Sequence, residues 1–399
     1  LPQGLLPQET VLKEDKEGIM LKLHIVQAKQ GDCMILEYGM RAKPKYILID
    51  GGPATIYKTH LRGELRKIKK AKGKLDLVVL SHVDDDHVRG LLDLMAELQQ
   101  QRDDGIPETI SIDTLWHNSY SQTMGDEIEA RFRQLMEVED AGPLGAIMAT
   151  SDTTDRNISQ GDRLTEAAAA LGIEVNPFTL ERPICVDDAL APITFDNLHL
   201  HVVGPTDKNL EELRKDWLAW LKAQEKRAQD RDLAMVEEAA IEADESVPNL
   251  SSIMLLAEAE GKTILLTGDG LGDDLLQGLG QAGLLNPDGK LHVDLLKLPH
   301  HGSARNVTKE FFKTVTADKY VISANGNNGN PDLVTLTWIV EAAKEQARQI
   351  EIVATNTTDS LRQLVKAYTP NKYGYRLIKM QPKAHALTLE LASDTAPTN

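Results

Sequence analysis

Four apolar runs, far apart in the chain, each stop on an acid or an imidazole close to glycine. They are Tyr46-Ile-Leu-Ile-Asp50-Gly51-Gly52, Leu77-Val-Val-Leu-Ser-His82-Val-Asp84-Asp85-Asp86-His87, Thr263-Ile-Leu-Leu-Thr-Gly-Asp269-Gly270 and Asp294-Leu-Leu-Lys297-Leu-Pro-His300-His301-Gly-Ser303. Taken singly, an Asp at a strand end is usually a turn former. Together the four runs predict strands that deliver metal-binding side chains to one place, and glycines there let backbones approach closely.

The rest of the chain fits that frame. Short β-branched runs predict strands at 21–26, 32–37, 45–49, 75–80 and 109–116, then at 198–203, 252–258, 263–267, 293–298 and 320–323, and finally at 351–354, 375–379 and 386–391. Helical spacing appears at 91–99, 127–137, 164–171, 274–279, 309–314 and 333–347. Strands in both halves with helices between them predict two sheets packed face to face, helices outside. Residues 1–19 are polar and aperiodic and read as an arm or remnant ahead of one domain over 20–399. Between 206 and 246 charge density rises, and Leu210, Leu213, Trp217, Trp220 and Leu221 share a helical face. This stretch reads as a helical insertion, either a packed surface decoration or a lid or homodimer arm.

Composition narrows the function. The 399 residues carry 44 Lys+Arg against 61 Asp+Glu, a net charge of −17, which opposes loose adhesion to polyanions. No run approaches the roughly 18 apolar residues of a membrane span, so no membrane partner is expected. Two cysteines, Cys33 and Cys185, with no leader-like start, make a reducing cytoplasm the expectation.

The run from His82 to His87 is the most specific signal. Ligands two residues apart can converge on one ion, while Asp86 and His87 turn toward a second. A solvated acidic loop capping a helix is the ordinary alternative, and a His at both ends argues against it. Asp269 is suited to bridge two cations.

The order Asp-Gly-Gly, HxDxDH, Thr-Gly-Asp, His-His-Gly-Ser resembles the metallo-β-lactamase fold superfamily. Within it the chain looks most like the soluble domain of the competence protein ComEC and its free-standing relatives, on Gln30-Gly31-Asp32, Ser81 to His87, Asn249-Leu-Ser251-Ser252, Leu266 to Asp269, Leu296 to Ser303, and Ile322-Ser323 leading to Asn330-Pro331. The resemblance implies an αββα sandwich with a dinuclear site. His82, Asp84 and Asp269 would hold the first metal, and Asp86, His87, Asp269 and His300 the second. Asn249 stands where many members supply another His. Asp50 is the expected carboxylate behind a ligand, and His301 the expected imidazole on the substrate side, with Asp86, His301 and Lys297 as catalytic residues. Ser303, Asn330 and His117 are expected near substrate. Asn330 replaces the usual His before the late Pro and cannot titrate.

Two divalent ions bring four positive charges, and Asp84, Asp86 and Asp269 return three. Such a pair generates a metal-bound hydroxide and clamps a phosphoryl centre. Oxygen-rich ligation leans toward Mn2+, and three imidazoles keep Zn2+ in play. The expected function is a metal-dependent hydrolase, a phosphodiesterase or nuclease. The alternatives are a hydrolase of small esters, lactones or thioesters, and a metal-binding module of a larger defence or regulatory assembly. Lys297, Arg305 and Arg89 are candidate phosphate contacts. The densest basic run, 58–74, looks like a nucleic-acid patch, but it feeds the start of the strand whose far end carries His82, so most of it is expected roughly 20 Å from the metals and away from substrate.

Overall fold

The computed structural model describes residues 18–118, 123, 125, 154–179, 182–187, 191–230 and 248–391. Along the chain come β1 (Ile19–Val26), β2 (Met34–Met40), β3 (Lys43–Ile49), β4 (Leu75–Val79), β5 (Ile112–Trp116), β6 (Glu174–Val175), β7 (Ile193–Phe195) and β8 (Leu198–Gly204). They are followed by β9 (Met254–Ala259), β10 (Lys262–Leu266), β11 (Leu291–Lys297), β12 (Val315–Ile322), β13 (Ile350–Ala354), β14 (Tyr375–Lys379) and β15 (Ala386–Leu391). Among the described residues they form two sheets, in the orders β15-β1-β2-β3-β4-β5-β6 and β14-β13-β12-β11-β10-β9-β8-β7.

Strand alternation produces the layering. Ile47 and Ile49 of β3, with Leu77 and Val79 of β4, face inward and meet Leu255, Ile264, Leu266, Leu295 and Val321 of the other sheet in one apolar layer. The residues between them, Leu48 and Val78 on one sheet and Leu265 and Leu296 on the other, face outward and are covered by helices. Over the first sheet lie α1 (Arg62–Lys70), entered through a π-helical turn at Tyr57–Leu61, then α2 (Asp85–Asp103) and α3 (Thr154–Ala170). A long helix, α4 (Asp207–Asp230), buries Leu210 and Leu213. Over the second sheet lie α5 (Gly272–Gln281), α6 (Lys309–Thr314), α7 (Leu333–Glu345) and α8 (Asp359–Ala367), packing Leu275, Phe311, Leu336, Ile339 and Leu361. The architecture is the αββα sandwich.

The helix expected at 127–137 and the arm at 1–17 lie outside the described residues, as do 231–247 of the insertion and the side chains of Trp217, Trp220 and Leu221. No helix among the described residues is long and apolar enough to cross a membrane. The helix read at 91–99 begins earlier, at Asp85, so Asp86 and His87 occupy its first turn. Acids there are favoured by the partial positive charge of the helix N-terminus.

Backbone contact between glycines docks that turn. The N–H of Gly51 donates to the His87 carbonyl at 2.7 Å, and that of Gly90 to the Gly52 carbonyl at 2.9 Å. A Cβ on Gly90 would lie 1.9 Å from the Gly51 carbonyl oxygen. Gly90→Ala is therefore expected to cost about 3 kcal/mol through forced backbone displacement, read as a lower denaturation midpoint with an unchanged m-value. Wild-type stability in this variant would show that α2 can shift freely.

Candidate metal centre

Each imidazole of the centre is fixed from behind. Asp50, wholly buried, accepts from the Ser81 N–H at 2.7 Å and the Ser81 hydroxyl at 2.8 Å, and its Oδ2 lies 2.8 Å from His87 Nδ1. Because Ser81 Oγ donates to Asp50, it is left to accept from His82 Nδ1, 3.1 Å away. His301 Nδ1 is 2.9 Å from the Ser323 carbonyl, which can only accept, with Asp32 Oδ1 at 3.4 Å. In all three rings the proton is thus assigned to Nδ1, and Nε2 presents its lone pair.

Those lone pairs meet carboxylates. His87 Nε2 is 3.4 Å from Asp269 Oδ1 and 3.8 Å from Asp86 Oδ1. His301 Nε2 is 3.4 Å from Asp86 Oδ2 and 3.5 Å from Asp269 Oδ2. His82 Nε2 is 3.4 Å from Asp84 Oδ2 and 3.9 Å from Asp269 Oδ2. The Nε2 atoms of His82, His87 and His301, with Asp269 Oδ1, are buried and lack hydrogen-bond partners. Buried polar atoms left bare in this way carry a heavy desolvation cost, and a cation between them removes it. The donor set therefore fits divalent metal: Asp86, His87, Asp269 and His301 around one position, and His82, Asp84 and Asp269 around the other. One ligand atom each from Asp32, His87, Asp269 and His301 also lies within 4.8 Å of the others.

The electrostatics agree. Burial works against charge on His87 and His301, yet Asp269 with Asp50 in one case, and Asp269 with Asp32 in the other, hold both imidazoles well above their ordinary range. Burial likewise opposes the Asp269 carboxylate, and His301, His87 and His300 hold it well below its ordinary range. The carboxylates that favour positive charge on these rings would equally favour a divalent cation between them.

His301, expected on the substrate side, sits deeper than His300, the expected ligand. Both sit at left-handed backbone angles, φ 45° and 57°, in a tight turn after Pro299, a strained geometry that surrounding contacts must hold. The turn buries His301 and leaves His300 half-buried at the cavity edge. His300 Nδ1 lies 3.4 Å from the Asn249 amide nitrogen, and its Nε2 is 3.6 Å from Asp269 Oδ2. With Asn249 donating to Nδ1, the His300 proton sits on Nε2 and faces Asp269, which suits a hydrogen bond better than ligation. Asn330 Nδ2 donates to the His300 carbonyl at 3.2 Å and so braces the turn.

Lys297, expected at the substrate, is wholly buried, as is Asp32. Its ammonium pairs with Asp32 Oδ2 and donates to the Leu298 carbonyl at 2.9 Å. It cannot touch substrate from there. Lys297→Met would leave Asp32 buried without its counter-charge, a loss of about 3–5 kcal/mol. The effect should appear as a depressed Tm. A raised KM with Tm unchanged would instead indicate direct phosphate contact. Asp32 itself escaped the sequence reading as a site residue, since an acid after Gly at a strand entry looks like a turn.

A cavity of about 280 Å³ opens beside the centre, lined by Gln30, Asp86, His300, His301, Ser303, Arg305, Ala324, Asn325, Asn328, Asn330 and Asp332. Ser303 and Arg305 are thus brought to the centre. Arg89 is not part of that lining. His117 is buried under α3 with Nε2 3.0 Å from Thr165 Oγ1, and burial pushes its pKa down to about 4, so it is neutral and away from the cavity.

Fold and centre together define the class: a metallo-β-lactamase fold. The metallo-β-lactamase superfamily model matches residues 28–101, the span that holds Asp32, Asp50 and the whole run from His82 to His87. That superfamily consists generally of hydrolytic metalloenzymes that bind divalent ions such as zinc. Among solved structures the chain is similar to the metallo-β-lactamase fold protein YhfI from Bacillus subtilis, at 12% identity over 94% of this chain and 100% of that one, with a TM-score of 0.40. No curated protein matches the sequence.

Proposed function

We propose that the chain is a metal-dependent phosphodiesterase acting on nucleic acid. The observation that carries this reading is the trio of buried imidazoles, each anchored at Nδ1 and bare at Nε2, converging with Asp84, Asp86 and Asp269, of which Asp86 and His301 also line a polar cavity. Two divalent cations held there by His82, Asp84 and Asp269 and by Asp86, His87, Asp269 and His301 would supply Lewis-acid polarisation and acidified water.

The remaining steps fall to side chains. Asp50 and Ser81 fix the His87 and His82 rings, and Asp32 with the Ser323 carbonyl fixes His301. Such outer contacts keep ligand geometry constant through turnover. Arg305 brings the positive charge of the cavity wall, and Ser303 a hydroxyl, to meet phosphate oxygens. Asn330 braces the turn and holds no titratable proton, so it cannot protonate a leaving oxygen.

The lining favours a charged substrate over an acyl one. Ala324 is the apolar side chain in it, against four side-chain amides and a guanidinium, whereas lactone and thioester tails call for apolar walls. The test is a panel of single-stranded DNA, RNA, cyclic dinucleotides and lactones with the Mn2+- and Zn2+-loaded protein. Release of nucleotides with the lactones untouched is expected. Lactone turnover without nucleic acid cleavage would overturn the reading.

A further inference from the structure

The first helical segment concentrates cations on an acidic molecule. Residues 58–74 hold eight Lys or Arg and one acid, Glu64, in a chain of net charge −17. Tyr57, Leu61, Leu65 and Ile68 turn into the core, and this spacing turns Lys58, Arg66, Lys69 and Lys70 out to solvent. Glu97 takes Arg62, Glu64 takes Lys67, and Asp76 and Asp113 take Lys74. Lys58, Arg66, Lys69, Lys70 and Lys72 have no ion-pair partner among the described residues. Arg62 with Arg66, and Arg66 with Lys70, are like-charge pairs four residues apart, each destabilising the helix by roughly 0.2–0.5 kcal/mol. Among the described residues no acid neutralises these charges, and an external polyanion would.

The band begins at the metal end of the first sheet. The π-helical turn at Tyr57–Leu61 follows the Asp50-Gly51-Gly52 loop, so its start lies at the metal end of the first sheet, and the turn and α1 together run about 20 Å toward the opposite end. At the metal end, exposed Lys29 directly precedes Gln30 of the cavity wall. His60 lies there too, its Nδ1 3.0 Å from that of His385. The His385 carbonyl in turn accepts from the Gln27 N–H at 2.9 Å, two residues before Lys29, which brings Lys29 close to the helical turn. Cations thus continue from Arg305 and Lys29 to Lys58, Arg66, Lys69 and Lys70. The exposed residues from 58 to 74 include no aromatic side chain, so nothing on the band stacks with bases.

We propose that this band is a track for the sugar–phosphate backbone of single-stranded nucleic acid, which leaves the cavity past Lys29 and runs along α1. The track holds the polymer and takes no part in cutting it. It rests on the phosphodiesterase reading and adds a length rule: at about 3.4 Å per phosphate, 20 Å accommodates roughly six phosphates, so a dinucleotide gains nothing from it.

The test is fluorescence anisotropy of the Mn2+-loaded protein with a labelled single-stranded phosphorothioate 20-mer over a range of salt, paired with cleavage of the ordinary 20-mer and of a dinucleotide. The triple variant Arg66→Glu, Lys69→Glu, Lys70→Glu should raise Kd at least tenfold, and the log–log salt slope should become shallower by about two. Dinucleotide cleavage should be unchanged. The milder triple Arg66→Gln, Lys69→Gln, Lys70→Gln should give a smaller rise in Kd and the same direction of slope change. Unchanged Kd and slope in both triples, with the 20-mer still cut, would overturn the track and leave the phosphodiesterase reading intact. A steep slope lost in the triples, with no cleavage of any nucleic acid, would keep the track and remove that reading. Failure of the wild-type protein to bind the 20-mer, or binding to phosphatidylserine vesicles in its place, would overturn the track.

Discussion

Asp269→Asn is expected to abolish metal-dependent hydrolysis while leaving the fold in place. Among the described residues, Asp269 is the one side chain that faces His82, His87, His300 and His301 together, at 3.4 to 3.9 Å. Asparagine keeps its volume and removes the charge that both cation positions share. Losing about 4 kcal/mol of transition-state stabilisation lowers turnover roughly a thousandfold. Bound metal measured by elemental analysis should fall as well, with far-ultraviolet circular dichroism unchanged. Wild-type turnover with full metal content in this variant would mean that Asp269 serves only as an ion-pair partner of the imidazoles.

The second large effect separates adjacent histidines. His301→Gln should lower metal content and reduce turnover by roughly a hundredfold or more, about 3 kcal/mol. His300→Gln should cost about tenfold or less with metal content preserved, since His300 is half-buried, hydrogen-bonded to Asn249 and turned toward Asp269 from the cavity side. Parallel kinetics and elemental analysis of the two variants decide the matter. Metal loss in His300→Gln and retention in His301→Gln would reverse the assignment made from the Nδ1 partners.

Much of the fold was legible because strands between two packed layers alternate strictly. Ile47, Leu48 and Ile49 had to be apolar on both faces, one toward the other sheet and one toward helices. The same alternation, applied one residue further along β11, explains Lys297. Leu295 faces the inner layer and Leu296 the outer one, so Lys297 points between the sheets, where only a counter-charge such as Asp32 makes it tolerable. Spacing alone gave no sign of Asp32, which comes from a turn far away in sequence. Nor could spacing separate His300 from His301, because two successive left-handed residues decide which ring enters the centre. The basic run at 58–74 looks like a nucleic-acid patch in sequence, and its helical form becomes visible once Tyr57, Leu61, Leu65 and Ile68 are seen to share one buried face.

The convergence of bare Nε2 atoms on shared carboxylates is tested most directly by anomalous diffraction from crystals grown with Mn2+. The account predicts two peaks flanking Asp269, one contacted by His87, His301 and Asp86 and the other by His82 and Asp84. A map with no anomalous peak there, and His82, His87 and His301 hydrogen-bonded through Nε2 to the surrounding carboxylates, would contradict it.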